Sequence, residues 1–207
     1  MKRQYVLGIL FFSSLWGICE AVLGGALYRT GLPHASVPLT IVALVILSVA
    51  KVYLPRKGTA ILIAAMAMLY KFLNAPFFAC HLLAILLTGV CFELFFSVFK
   101  TKSAPLSAVL TAYASYGSFA VLITYVFRYQ HWIQTGFSKL LSYIAFDGTI
   151  VALVGAALVP LAFRLAERLR AKEPLPFGLR LRPAQLSLCG VTTVLWVFGV
   201  GAYLLAA

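Results

Sequence analysis

Apolar residues run along this chain in long blocks rather than in strand-like alternation. The first block covers residues 5–28, YVLGILFFSSLWGICEAVLGGALY, and its one acid is Glu20. At about 1.5 Å rise per residue, a helix of that length crosses a hydrocarbon core of about 30 Å with some tilt. Further blocks at residues 37–54, 59–73, 76–99, 105–127, 142–163 and 186–205 predict six more spans. The run 59–73 is short and spans only if Lys71 snorkels to the interface. Asn74 and Pro76 mark a turn into the next helix, as cap and early helical residue. Residues 128–141, RYQHWIQTGFSKLL, mix aromatic and polar positions without a spanning length. That stretch reads as an interfacial loop or short helix with Trp132 and Phe137 at headgroup level. Pro160 is expected to kink the far end of the sixth span. The fold class is therefore all-α, a single polytopic membrane bundle over residues 1–207 with six to seven transmembrane helices.

Composition excludes a soluble domain. With 63% hydrophobic and 11% charged residues and a mean hydropathy of +1.00, there is too little polar surface to cover a water-facing globule. A net charge of +12 would suggest nucleic acid in a soluble chain, but here the placement of the basic residues decides. With the N-terminus cytoplasmic, the inner segments hold Lys2, Arg3, Lys51, Arg56, Lys57, Lys100, Lys102, Arg164, Arg168, Arg170, Lys172, Arg180 and Arg182. The outer side keeps Arg29, Lys71, Arg128 and Lys139, which flank the mouth of the outer half and suggest an outward-facing cavity for a small polar or anionic solute. The asymmetry follows the positive-inside rule and points to a multi-pass protein of the plasma (cytoplasmic) membrane, with no nucleic-acid partner. The basic stretch 164–183 reads most simply as an anchor for anionic lipid heads. Cys19, Cys80, Cys91 and Cys189 all lie in apolar runs without metal-ligand spacing, and are read as small core residues. No cofactor is expected.

Within the spans, Ser13, Gly17, Ala21 and Gly25 recur at four-residue spacing and make a face without bulk, suited to close helix packing. Trp16 and Glu20 lie one turn apart on a neighbouring face. An ionisable group at membrane depth is costly enough to mark a functional site by default, so Glu20, His81 and Asp147 are the candidate pocket residues. All three fall in the outer half under the topology above, with Trp16 and Arg128 as further candidates for substrate binding. Each also has a plainer role open to it: Glu20 bonding a neighbouring helix, His81 as a satisfied polar group, Asp147 capping its helix. Glu93 lies nearer the inner end and suits an internal ion pair or a gate. No Gly-x-Ser-x-Gly elbow, His-Glu-x-x-His pair or phosphate-cradling loop occurs, so the usual parts for nucleophilic catalysis, zinc hydrolysis and ATP hydrolysis are missing and no catalytic residue is assigned.

The basic character, the first-helix stripe Ser13, Gly17, Ala21 and Gly25, and the outward-facing polar residues resemble the substrate-binding S components of energy-coupling factor vitamin transporters. The resemblance is one of architecture over the first six spans. It implies an outward-facing pocket for a vitamin-like or other small solute. It also implies a transmembrane coupling subunit with ATPases as partner, docked on the small residues of the first helix. Two other functions fit the same residues: an integral membrane enzyme acting on a lipid or isoprenoid with Glu20 and His81 as acid and base, and a structural subunit of a larger membrane complex.

Overall fold

The computed structural model describes residues 2–31, 34–73, 79–99, 103–172, 190–197 and 201. The turn at Asn74 and Pro76, Lys100, Lys102, the stretch 173–182 and Cys189 lie outside the described residues. Helix α1 (Lys2–Ile18) passes through a π-helical turn (Cys19–Leu23) into α2 (Gly24–Arg29). Then follow α3 (Ser36–Tyr53), α4 (Thr59–Ala67) tightening into a 3-10 segment (Met68–Leu73), and α5 (Ala79–Phe99). Helix α6 (Ala104–Val121) ends in a second π turn (Leu122–Val126), and α7 (Gln130–Lys172) follows. Residues 190–197 are also helical, and Trp196 within them reaches Tyr70 with ring centroids 4.0 Å apart.

Five helical stretches are long and apolar enough to cross a membrane: Tyr5–Leu27, Ser36–Tyr53, Cys80–Phe99, Ala104–Val126 and Gly136–Ala171. Thr59–Lys71 is a shorter apolar helix, and of the block 186–205 only residues 190–197 and 201 are described. The chain is thus a multi-pass helical membrane protein. Large apolar side chains such as Leu94, Val98, Leu153 and Leu161 stand more than half exposed around the bundle, where hydrocarbon rather than water is their natural surrounding.

The helices close a ring in the order α1, α4, α5, α6, α7, α3 and back to α1. Helix α3 touches α1, α4, α5 and α7, and half of its length is buried. Because successive helices alternate direction, α3, α5 and α7 start at the same end of the ring where α2 and α6 finish.

Two expectations need revision. Residues 130–135 form the short helix offered for the stretch 128–141, but past the break at Gly136 the rest of that stretch joins the sixth span, so the apolar helix runs for 36 residues, Gly136–Ala171, beyond the 142–163 read from hydropathy. The break in α7 falls at Gly136 (φ 76, ψ 164), while Pro160 sits inside the helix. Those angles belong to a region open to glycine and closed to side chains with a Cβ, so the one residue without a Cβ fixes the bend.

The small-residue face of α1 is used within the chain. Ser13 and Gly17 are buried, whereas Ala21 and Gly25 are half-buried, and after the π turn the buried face continues through Glu20 and Gly24. The strict four-residue ladder drifts because a helical face recurs at 3.6 residues. Gly17 receives the ring of Tyr70: a Cβ built on it would lie 2.2 Å from a ring carbon. At the other end of the same pair of helices, the Tyr5 hydroxyl and Thr59 Oγ1 are hydrogen-bonded at 2.8 Å.

Candidate functional site

Glu20 is turned into the bundle by the π turn, and the 3-10 segment brings Lys71 to meet it. Lys71 Nζ stands 3.1 Å from Glu20 Oε2 and also donates to the Glu20 carbonyl oxygen at 2.8 Å. Trp16 Nε1–H, one turn earlier on α1, donates to Glu20 Oε1 at 3.3 Å. Only 3% of the Lys71 side chain and 9% of the Glu20 side chain are exposed, so the lysine read as an interfacial cation is an internal partner. In a medium without water, a buried carboxylate demands such a partner. The pair borders a chamber of about 50 Å³ with Ser36, Thr40, His81 and Thr88, large enough for water and too small for a solute.

Next to this chamber lies a cavity of about 640 Å³ at the end of the ring where α3 and α5 begin. Ser36, His81 and Ala84 border both spaces, so the two are adjoining compartments. Asp147 lies on the wall of the larger one, its side chain 3% exposed, in contact with the half-exposed His34 Nδ1 through Oδ1. Ser36 Oγ donates to Asp147 Oδ2 at 3.3 Å, and the Tyr116 hydroxyl donates in turn to Ser36 Oγ at 3.3 Å. A carboxylate placed against the first turn of α3 is also favoured by the positive end of that helix. Asp147 therefore ties α7 to the start of α3 rather than capping its own helix.

Aromatic rings complete the cavity. Trp132 stands edge-on to Phe119 (5.4 Å, 84°) and to Tyr143 (5.1 Å, 75°), and Tyr143 lies 5.0 Å from Tyr116. Trp132, expected at headgroup level, thus turns inward, while Phe137 is 68% exposed on the other side of the Gly136 bend. Among the described residues lining the cavity there is no lysine or arginine. Arg128 is exposed, with φ 48, and is not part of the lining.

A third buried acid closes the opposite end. Glu93 Oε1 accepts from Lys51 Nζ at 2.5 Å and from Ser97 Oγ at 3.1 Å, and Oε2 accepts from the Ala60 N–H at 3.0 Å in the first turn of α4. Three helices, α3, α4 and α5, converge on this one carboxylate, the internal ion pair that its depth suggested.

Glu20, His81 and Asp147 thus border one pair of adjoining compartments, Glu20 and His81 the smaller and His81 and Asp147 the larger. Trp16 belongs to the smaller. Sequence reasoning missed His34, Ser36, Phe119 and Tyr143, and it missed Lys71 as an ion-pair partner. The signal for Lys71 was present: a carboxylate within a span calls for a cation at similar depth, and Lys71 is the basic residue inside a neighbouring apolar run. Among the described residues no cluster of three or more His, Cys, Asp or Glu is arranged to hold a metal ion, and Cys19, Cys80 and Cys91 are free thiols.

The fold and these compartments define a multi-pass helical membrane protein with a cavity at one end of its bundle. Comparison with protein-family models, with curated proteins and with solved structures finds no match.

Proposed function

We propose that the chain is the solute-binding subunit of a membrane uptake system, receiving a vitamin-sized solute in the cavity of about 640 Å³. The observation that carries this reading is the shape and chemistry of that cavity. It has the volume of a small-molecule site, mostly apolar and aromatic walls, and a few convergent polar groups, His34, Ser36, His81, His131 and Asp147. Behind it, the Glu20–Lys71 pair gives the floor a fixed polar character.

The distribution of lysine and arginine supports an orientation in the plasma membrane with the N-terminus in the cytoplasm and the cavity facing outward. Uptake then needs an energy source. The sequence carries no phosphate-cradling loop, so in this reading a transmembrane coupling subunit with ATPases drives transport. Such a partner has to engage the bundle with Gly17 already covered by Tyr70.

Mass spectrometry of the protein purified in mild detergent tests the proposal. A single small molecule retained in stoichiometric amount is expected, with its uptake by cells falling at least about tenfold in Asp147→Asn and His81→Gln. No retained molecule, together with unchanged uptake in both variants, would rule the reading out.

A further inference from the structure

The lining of the larger cavity has a sign. Phe119, Tyr129, Trp132 and Tyr143 bring four aromatic rings to it, and Asp147 brings a carboxylate. The rings of Phe119 and Tyr143 both stand nearly perpendicular to Trp132, so the three present walls rather than a flat stack. An aromatic face is the negative end of a quadrupole and attracts cations, most strongly where water is excluded. The fixed positive charges nearby are placed elsewhere: Lys71 is held against Glu20 in the smaller chamber, and Arg128 is outside the lining. Histidines border the cavity as well, and His34 holds the Asp147 carboxylate from the rim. His34 is half-exposed and its backbone lies in the left-handed region (φ 62), so it can yield Asp147 to a ligand without leaving a deeply buried site.

We propose that the solute taken by this cavity is an organic cation, a small molecule with a substituted ammonium group seated among Phe119, Trp132 and Tyr143 and neutralised by Asp147. The proposal rests on the solute-binding reading and replaces the anionic solute that the outer arginines and lysines suggested. A carboxylate or phosphate in this space would face ring electrons and Asp147 with no lysine or arginine on the described wall. A substituted ammonium is weakly hydrated, so the rings can replace its water at small cost.

Calorimetric titration of the purified protein with three probes of one shape tests this: choline, its neutral isostere with carbon in place of the quaternary nitrogen, and the carboxylate of matching size. Choline is expected to bind at least about tenfold more tightly than the neutral isostere, with the carboxylate weakest. Trp132→Leu is expected to erase the preference for charge, and Trp132→Phe to keep most of it, with the unfolding midpoint of each variant reported beside its affinities. Equal or tighter binding of the isostere or the carboxylate overturns the cation assignment, as does a preference that survives Trp132→Leu. The two readings fail separately. A neutral or anionic molecule that co-purifies sinks only the cation assignment, whereas a protein that retains no molecule and binds none of the probes sinks both.

Discussion

Lys71→Met isolates the Glu20 carboxylate inside the bundle. The charges are 3.1 Å apart, and at an effective dielectric constant of about 20 their attraction is about 5 kcal/mol, most of it offset by the desolvation of two ions. The net worth of the pair is therefore modest, but the cost of breaking it from one side is not. With Lys71 gone, Glu20 keeps the Trp16 N–H as a side-chain donor but faces no cation in its place, and the expected loss is about 3–5 kcal/mol. The double variant Glu20→Gln with Lys71→Met leaves no buried charge. It is expected to lie within about 1–2 kcal/mol of the natural protein, the remainder reflecting the lost hydrogen bond from Lys71 to the Glu20 carbonyl. Unfolding by denaturing detergent, followed by helical circular dichroism, measures all three proteins in one double-mutant comparison. A single variant within about 1 kcal/mol of the natural protein, or a double variant as unstable as the single, would refute the assignment of these residues as a buried, charged pair.

Gly17→Leu forces a side chain into the space of the Tyr70 ring and is expected to cost at least about 1–3 kcal/mol, partly recovered by Tyr70→Ala, in the same unfolding assay. Gly136→Ala places a Cβ at φ 76 and ψ 164, so a loss of about 1–3 kcal/mol is expected; an unchanged midpoint would show that the bend is soft. Lys51→Met strands Glu93 where α3, α4 and α5 meet, and amide exchange should quicken in the first turn of α4, where Ala60 is bonded to that carboxylate, before it does around Asp147. Asp147→Asn keeps an acceptor for Ser36 but loses the charge facing His34; solute retention should fall more than stability does, and the reverse order would make Asp147 a packing residue alone.

Hydropathy located the spans because an apolar block is a direct record of the medium a helix sits in. The blocks 5–28, 37–54, 76–99 and 105–127 differ from the helical spans by a few residues at their ends. The start of α7 was hidden because an amphipathic interfacial stretch and a helix interrupted by one glycine have the same composition. Depth placed Glu20, His81 and Asp147 at one level of the membrane, and it is the helix arrangement, not depth, that sets them around two adjoining compartments. Of their partners, Lys71 was signalled by depth but masked by its place at the end of a short run, where snorkelling is the cheaper expectation, and His34 lies in a polar link whose path no periodicity records. The π turn at Cys19–Leu23 left no mark in the pattern of small residues, and from there on Glu20 and Gly24 are more deeply buried than Ala21 and Gly25.

Helix α1 and the arm formed by α4 and its 3-10 extension are fastened near both ends: Tyr5 to Thr59 at one, and Gly17 under Tyr70 with Glu20 to Lys71 at the other. Fasteners spread along a shared axis suppress both sliding and splaying, so this couple travels as one stiff plank. If the cavity takes up a solute as proposed, its emptying would fall to the opposite half of the ring, with α6 and α7 swinging against a stationary keel.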